Sequence, residues 1–544
     1  MKWKSPIPIA GVAVAAALAF PGIASAAVTA EVDSNVLTVT GTGSDAITIS
    51  CDAGGDVAVA DATVDPATKC NTITAINVTG GDGANVITLT GVTDAAYSAL
   101  IKTTINAGAG NDQIFGSERV DEMHGGAGND QIIGDDNPVG TRDLFEGEAG
   151  DDLLIWRGGE DDDTMNGGDG ADSIQVNGAN VAEAFTIKPG AAGRVSFDRL
   201  AAPGPGAFNL DIGTSERLEL LANGGDDSLV SDAGLDATGT KLDIRGGDGN
   251  DNLDGGDGAD QIAGDGGNDT ITPDDNPLNT RDVALGGDGD DTIVWNGGDD
   301  DDVNDGGAGN DTSEINGADA DERFTIKPSP TAGRVLFDRL ATPGPGPFNV
   351  DIGTTETLRL EANDGNDRIT GGKGLQGRIS TVMNAGDGND RVRGTDAVDA
   401  ISLGRGNDIA RTIDKAEDTL SCGRGIDLAF VDRRDVLRGC ELVLGGLRRV
   451  AIKGKPQLDG NRVALRLKCV GTEKCKSIVK LKRNGRVLGR GKVTMKRGKT
   501  RSVSVALNKR GRRVLSDGAR VRVEVQSKDK RGNGWRSGKT VRLG

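Results

Sequence analysis

The feature of this sequence that most restricts its fold is a nine-residue pattern of glycines, an aspartate and one aliphatic residue. Gly125–Ile133 reads GGAGNDQII, and the same pattern recurs as GGDGADSIQ (167–175), GGDGNDNLD (246–254), GGDGADQIA (255–263) and GGDGDDTIV (286–294). A short period that recurs in this way indicates a solenoid, in which each repeat buries its apolar residues against its neighbours.

The nonapeptide predicts half a coil of such a solenoid. Glycines at places one, two and four allow backbone angles that other residues resist, so the chain turns tightly there. The turn directs carbonyl oxygens inward, and Asp130 at place six adds a carboxylate; hard oxygen donors of this kind suit Ca²⁺. The next three residues predict a short strand whose middle member, Ile132, faces inward. Each coil is therefore expected to be turn, strand, turn, strand, with metal between the turns of adjacent coils.

These residues resemble the RTX, or hemolysin-type, calcium-binding repeat, G-G-x-G-x-D-x-U-x. The resemblance implies an all-β fold, a parallel β-roll/β-helix solenoid, in which place-six aspartates and turn carbonyls bind Ca²⁺. Carried over residue by residue, it implies metal ligands at Asp112, Asp130, Asp152, Asp172, Asp251, Asp260, Asp269 and Asp291, and from weaker copies at Asp121, Asp163, Asp302, Asp311, Asp390, Asp399, Asp408 and Asp427. The alternative, a flexible Gly/Asp linker, does not explain why an aliphatic residue recurs in phase at place eight.

The N-terminal residues 1–26 predict a secretory signal peptide. Lys2 and Lys4 precede an apolar run that ends at Ala24-Ser25-Ala26, where cleavage is expected. The apolar run is short for a membrane span and no second one follows, so we expect a secreted, extracellular protein without a membrane span. A retained N-terminal anchor is the alternative.

The six cysteines lie in three close pairs, Cys51 with Cys70, Cys422 with Cys440 and Cys469 with Cys475. In a secreted protein such pairs predict three local disulfides. A metal–thiolate site is the alternative, but there is no CxxC pair.

Residues 27–105 predict a β-rich N-terminal cap and the first coils. One repeat in this segment, GGDGANVIT (80–88), carries Asn85 at place six, so its metal site should be weak or empty. Residues 106–446 predict the calcium-binding roll, which contains a duplicated block of about 139 residues. Each copy carries a long insert, 185–214 and 324–354. The inserts are interpreted as β-hairpins with buried phenylalanines. The alternative interpretation is a sugar- or anion-binding loop.

The C-terminal segment 447–544 inverts the charge of the chain. It holds about 31 Lys and Arg against about 5 Asp and Glu, in a protein whose net charge is −21. Alternating runs such as Val463, Leu465, Leu467 and the hairpin signal Asn484-Gly485 predict a small antiparallel β-sandwich with a basic outer face. Its partners are expected to be anionic cell-envelope polymers or the acidic roll. The alternative is a basic face that is only solvated and binds no partner. Nucleic acid is disfavoured because the segment has one aromatic residue, Trp535, for stacking.

Catalytic motifs are not found. The only histidine is His124, which excludes an HExxH zinc site and a Ser-His-Asp triad. We therefore predict a protein that is not an enzyme and acts in a structural or adhesive, binding role at the cell exterior. The alternative is a calcium-dependent polysaccharide lyase or epimerase of the β-helix type, which would use Arg or Lys beside Ca²⁺.

Overall fold

The computed structural model describes residues 27–543 apart from the short segments 66–67, 135–140, 158–161, 205, 275–280, 297–300, 341–345, 433, 446–449, 470–474, 497, 516–517 and 529–533. The signal-peptide prediction, residues 1–26, lies outside the described residues. The chain divides into two compact units between Ile174 and Gln175.

The first unit is a stack of short strands in two sheets, and its strands are parallel except for the first and the fourth, which pair antiparallel with their neighbours. Its strands are β1 (Thr29–Asp33), β2 (Val36–Thr40), β3 (Ala46–Cys51), β4 (Val57–Val59), β5 (Ala75–Thr79), β6 (Val86–Gly91), β7 (Lys102–Ala109), β8 (Gln113–Phe115), β9 (Val120–Ala127), β10 (Gln131–Ile133), β11 (Leu144–Ala149), β12 (Leu153–Arg157) and β13 (Asp163–Asp169), and β14 (Ser173–Asn177) spans the division. One 3-10 turn covers Cys70–Thr72. Strands β2, β5, β7, β9, β11 and β13 form one sheet, and β3, β6, β8, β10 and β12 form the other.

Successive coils in this unit are stacked in register. Met123 in β9 pairs with Ile105 in β7, and Ile132 in β10 pairs with Ile114 in β8, so a coil advances by the 18 residues of two nonapeptides. These four side chains are fully buried. The strands are too short to bury more than one or two side chains each, so the core is a narrow ladder of aliphatic residues between the sheets.

The second unit continues the same architecture. Its parallel strands are β15 (Ala184–Pro189), β16 (Val195–Arg199), β17 (Phe208–Gly213), β18 (Arg217–Leu221), β19 (Ser228–Ser231), β20 (Lys241–Asp248), β21 (Asn252–Asp254), β22 (Gln261–Gly266), β23 (Thr270–Thr272), β24 (Val283–Asp288), β25 (Thr292–Trp295), β26 (Asp302–Ala308), β27 (Thr312–Asn316), β28 (Arg323–Pro328), β29 (Val335–Arg339), β30 (Phe348–Gly353), β31 (Thr357–Glu361), β32 (Arg368–Gly371), β33 (Ser380–Asn384), β34 (Arg391–Arg393), β35 (Asp399–Ser402), β36 (Arg405–Gly406), β37 (Ile409–Thr412), β38 (Thr419–Ser421), β39 (Arg424–Gly425), β40 (Leu428–Val431), β41 (Val436–Arg438) and β42 (Leu442–Gly445), except that β16 and β29 run antiparallel to their neighbours. Two 3-10 turns cover Ala191–Gly193 and Leu235–Thr238.

The two inserts form three-stranded antiparallel hairpins within the stack. In the first, β16 lies between β15 and β17, and Phe185, Phe197 and Phe208 are buried together with ring centroids 5.6 and 5.8 Å apart. In the second, β29 lies between β28 and β30. Strand β30 pairs with β26 of the preceding coil and β28 with β32 of the following one, so the hairpin joins two stretches of one parallel sheet.

The C-terminal residues form an antiparallel β-domain. Its elements are β43 (Val450–Asp459), β44 (Arg462–Cys469), β45 (Cys475–Arg483), β46 (Arg486–Met495), β47 (Thr500–Leu507), α1 (Lys509–Val514), β48 (Arg520–Lys528) and β49 (Gly534–Arg542). The strands pair in the order β43-β44-β47-β46-β45-β48-β49 around one apolar core. The predicted turn at Asn484-Gly485 joins β45 to β46 with positive φ at both residues.

The all-β class and the parallel roll are confirmed. The three predicted disulfides are formed, Cys51–Cys70, Cys422–Cys440 and Cys469–Cys475. In the part of the chain that the structure describes, no helix has the length and apolar character needed to span a membrane.

Candidate metal centre

The glycines of each turn are required by the close stacking of neighbouring coils. Gly126, near the end of β9, and Gly128, between β9 and β10, have φ values of 106° and 133°. A Cβ atom on Gly128 would collide with the carbonyl oxygen of Gly110 in the preceding coil, and one on Gly126 with that of Gly108. The absence of side chains therefore lets successive turns lie directly on one another, which brings their carbonyl oxygens close together.

Asp130 shows how the place-six aspartate is held. Its side chain is 2% exposed, and Oδ1 accepts a hydrogen bond from the backbone N–H of Asp112 at 2.8 Å. The backbone N–H of Asp130 in turn donates to Oδ1 of Asp152 at 2.7 Å. Each aspartate thus links its own coil to the preceding one through its carboxylate and to the next one through its backbone.

The second carboxylate oxygen of Asp130 has a different environment. Oδ2 is buried and accepts no hydrogen bond from any described residue. It faces the space beside Gly125, where the carbonyl oxygen of Gly147 from the next coil also lies, 2.9 Å from the position that a Cβ would take. A buried carboxylate oxygen among carbonyl oxygens lacks a positive or donor group, which a hard divalent cation supplies.

The same buried oxygen without a hydrogen bond recurs along the chain. Among the described residues it is found as Oδ2 of Asp112, Asp130, Asp152, Asp227, Asp251, Asp260, Asp269, Asp291, Asp311, Asp367, Asp390, Asp408, Asp418 and Asp427. Buried polar atoms are normally paired, so a recurring exception indicates a ligand rather than a local defect. The donor set, carboxylate and carbonyl oxygens only, fits Ca²⁺.

Asn85 shows that the turn carbonyls converge on one point. This is the repeat with asparagine at place six, and its Nδ2 lies 3.0, 2.6 and 3.0 Å from the carbonyl oxygens of Gly81, Gly83 and Ala107. The amide N–H group of Asn85 therefore occupies the position in which a cation would meet these oxygens. The prediction that this site is weak or empty stays a prediction.

All sixteen predicted aspartates lie in buried columns joined by hydrogen bonds between place-six residues. In the first unit one column contains Asp112, Asp130, Asp152 and Asp172, and a second contains Asp121 and Asp163. In the second unit the columns contain Asp251, Asp269, Asp291 and Asp311; Asp260 and Asp302; Asp390, Asp408 and Asp427; and Asp399. Their role as metal ligands stays a prediction.

The columns also contain aspartates that the sequence analysis missed. Asp143 and Asp282 each accept a hydrogen bond from the backbone N–H of one predicted aspartate and donate their own backbone N–H to another. Asp227, Asp367 and Asp418 extend other columns. Their turns lack most of the glycines. The signal that remains is an aspartate two residues before a buried apolar residue, as in Asp143-Leu144-Phe145, and this part of the motif finds them without the glycines.

One further carboxylate joins the last coils. Asp414 lies at place two of a turn that has no glycine, and one oxygen each of Asp399, Asp414 and Asp418 lie within 4.8 Å of one another. Here a side-chain carboxylate stands at the place that Gly126 takes in the turn of Asp130.

Burial of the columns favours the protonated, neutral form of their carboxyl groups and so raises their pKa values. Desolvation, with repulsion from the neighbouring aspartates Asp112 and Asp152, raises the pKa of Asp130 to about 7. Burial raises the pKa of Asp260 and of Asp418 to about 8, and Asp282 and Asp399 respectively add repulsion. Without a compensating cation, the ionised columns are thus unfavourable in the folded chain.

The RTX calcium-binding nonapeptide repeat, as a family pattern of four copies, matches residues 106–137, 140–174, 157–180, 243–271, 359–374 and 380–410. The chain therefore carries RTX repeats in several places, and RTX repeats bind Ca²⁺. No curated protein matches the chain.

Proposed function

We propose that this chain, which carries RTX calcium-binding nonapeptide repeats, is a secreted protein whose calcium-stabilised roll serves as a structural or adhesive module at the cell exterior. We propose the domain division given above, with a signal peptide at 1–26, first coils at 27–105, the roll at 106–446 and a basic domain at 447–544. The observation that carries the proposal is the recurrence of buried aspartate oxygens that accept no hydrogen bond, among them Asp130 Oδ2.

The residues proposed to hold Ca²⁺ are the sixteen predicted aspartates, together with Asp143, Asp227, Asp282, Asp367 and Asp418, and the glycine carbonyls of their turns. Most of these aspartates place one carboxylate oxygen on a backbone N–H and the other in the gap between turns, as Asp130 does. Asp121 and Asp399 differ, because both of their carboxylate oxygens accept hydrogen bonds, from Ser117 and Thr395 respectively. Bound Ca²⁺ supplies the positive charge that offsets the repulsion within a column, and its binding free energy contributes directly to folding. Extracellular modules bind Ca²⁺ at roughly 10⁻⁴–10⁻³ M, so the roll would become rigid after export.

Chelation tests this proposal. Far-ultraviolet circular dichroism and calcium titration by calorimetry on the mature chain, with and without EGTA, should show a large calcium-dependent gain of strand signal and several bound ions. A strand signal and melting temperature that EGTA leaves unchanged would refute calcium stabilisation.

The C-terminal β-domain supports an adhesive role. On one face of its sheet Lys480 lies opposite Arg490 and Lys482 lies opposite Arg522, and Lys492 extends the row. Like charges in directly opposed positions destabilise a sheet, and Glu524 is the one acidic residue described among them, 2.9 Å from Lys482. Glu524 also lies 3.7 Å from Arg522 and directly opposite Lys480, so one acidic residue offsets part of the charge of five basic ones. A face with this net positive charge fits an extended anion, and we propose acidic envelope polymers as its partner.

Polymer binding is measured by co-sedimentation with polygalacturonate, with neutral dextran as the control. Raising salt from about 50 to about 200 mM should weaken binding strongly. The variant Lys480→Gln/Arg490→Gln/Lys492→Gln should lose binding, whereas Lys509→Gln/Arg510→Gln/Arg513→Gln, which removes the same charge from α1, should retain it. Equal losses in the two variants would mean that net charge, and not this face, attracts the polymer.

The contacts within the inserts argue against an exposed catalytic or sugar-binding groove there. Lys188 Nζ lies 2.6 Å from Asp198 Oδ2, and Arg194 Nε lies 2.6 Å from Asp211 Oδ1. The charged groups thus engage one another across the hairpin. The lyase or epimerase alternative is tested by assaying unsaturated products from uronate polymers with Ca²⁺ present.

A further inference from the structure

Two coils of the second unit depart from the aspartate columns in the same way. The units GANVAEAFT (178–186) and GADADERFT (317–325) carry glutamate at place six and have no glycine at places two and four. Each of these units leads directly into one of the three-stranded inserts.

Glu183 takes the position of an aspartate in its column. It is fully buried, and its backbone N–H donates to Oδ1 of Asp227 at 2.7 Å, as place-six residues do elsewhere. Its Oε2 accepts from the backbone N–H of Ala179 at 2.6 Å, within its own turn. The carboxylate therefore lies between the turn and the column, where the other coils offer oxygen atoms to a metal.

The other carboxylate oxygen of Glu183, Oε1, accepts a hydrogen bond from the guanidinium group of Arg199. Arg199, at the end of β16, is 4% exposed, and its Nη1 donates to Oε1 of Glu183 at 2.9 Å. Its Nε donates to the carbonyl oxygen of Gly206 at 2.7 Å, and the guanidinium lies 4.6 Å from the centre of the Phe208 ring. This guanidinium is thus held by the Glu183 carboxylate, the Gly206 carbonyl oxygen and the Phe208 ring.

The second copy repeats the arrangement. Arg339 Nη1 lies 3.3 Å from Oε1 of the buried Glu322, and its Nε donates to the carbonyl oxygen of Gly346 at 2.7 Å. Its guanidinium lies 4.5 Å from the centre of the Phe348 ring. Glutamate in place of aspartate occurs together with the inserted arginine in both copies.

We propose that the guanidinium groups of Arg199 and Arg339 are the resident cations of these two turns, which therefore take no calcium and keep their inserts folded when calcium is removed. Arginine stays protonated at all accessible pH values, and a chelator cannot extract it. The longer glutamate side chain reaches the guanidinium, and side chains at places two and four replace the open glycine turn. Each insert with its phenylalanine cluster is then a calcium-independent segment between calcium-dependent coils.

Hydrogen exchange followed by mass spectrometry on the full mature chain tests this inference. In EGTA, amides of the insert strands β15–β17 and β28–β30 should exchange at least about tenfold more slowly than those of strands β8–β10 and β21–β23, while with Ca²⁺ all four groups of strands should be protected. Loss of protection in the inserts together with the repeats would overturn the inference. Protection of all four groups of strands in EGTA would instead overturn the proposed calcium dependence of the roll.

Variants identify the cation. Arg199→Gln leaves Glu183 buried without its charged partner, so in EGTA the protection of strands β15–β17 should fall at least about tenfold while strands β28–β30, in the same molecule, stay protected. Arg199→Lys should restore part of the protection. Lys188→Gln, which breaks an exposed ion pair of the same hairpin, should leave it unchanged. An Arg199→Gln protein with unchanged protection in EGTA would show that the arginine is not the required cation.

Discussion

The backbone N–H of Asp112 donates to the carboxylate of Asp130 across the gap between two coils, at 2.8 Å. This contact leaves the other oxygen of Asp130 buried among carbonyl groups. The same atoms that fix the register of the stack thereby create its candidate metal sites.

Asp130→Asn should remove one calcium site. The amide keeps the shape of the side chain but lacks its charge, so the column loses the stabilisation from one bound ion, about 2.7 kcal/mol at calcium 100-fold above its Kd. Calorimetry should show about one ion fewer, and the melting temperature should fall in Ca²⁺ but not in EGTA. Asp169→Asn is the control, because Asp169 is an exposed residue at place three of the repeat 167–175 in the same compact unit. If the melting temperature of Asp130→Asn falls equally in Ca²⁺ and in EGTA, the prediction is wrong.

Asn85→Asp should create a calcium site. The new carboxylate would lie among the carbonyl oxygens of Gly81, Gly83 and Ala107, which the amide now satisfies. We expect about one additional bound ion by calorimetry and a larger difference between the melting temperatures with and without calcium. Asn111→Asp adds the same charge at an exposed position and should add no site. The prediction is wrong if the two variants bind equal numbers of ions.

Gly128→Ala should disrupt the stacking of adjacent turns. Its positive φ alone costs about 1–3 kcal/mol with a side chain, and the Cβ would also collide with the Gly110 carbonyl oxygen. We expect a loss of more than about 3 kcal/mol in the free energy of unfolding measured by urea titration in Ca²⁺. Gly55→Ala, at a glycine with φ of 80° and nothing within 4 Å of its Cβ position, should cost about 1 kcal/mol. Equal costs at the two positions would argue against close stacking.

The calcium-free roll should be more stable in mild acid than at pH 8. Burial raises the pKa of Asp130 to about 7 and those of Asp260 and Asp418 to about 8, above their unfolded value of 3.8. Raised values favour the folded state while the groups are protonated, so this stabilisation is complete below about pH 4 and is lost as the pH rises through about 6–8. Thermal melts in EGTA should give a higher melting temperature at pH 5 than at pH 8. A calcium-free protein that melts lower at pH 5 would contradict this.

The repeating part of the fold could be predicted from sequence because its causes are local. Glycines at fixed places and an aliphatic residue at place eight specify turn and strand, and this was sufficient to predict the parallel roll in which Asp112 and Asp130 lie. Asp143 and Asp227 were missed because the residues before them lack the glycines of places one and two, and the column is maintained by neighbouring coils.

The path of the inserts could not be predicted from local patterns. The sequence indicates hairpins, but the pairing of β30 with β26 and of β28 with β32 depends on which strand edges the adjacent coils leave open. The Arg199–Glu183 pair likewise joins residues from different strands that only the folded hairpin brings together.

The carboxylate columns have a polarity. Most of these aspartates accept a hydrogen bond from a backbone N–H of the coil before, which therefore lacks its acceptor until the following coil is in place. At the ends of two columns, Glu356 and Glu441 accept from the backbone N–H groups of Asp311 and Asp427. Within the second unit, ordering of the coils is accordingly easiest from the end that contains the Cys422–Cys440 disulfide, and a truncation that removes this end leaves the preceding coil without its hydrogen-bond acceptors.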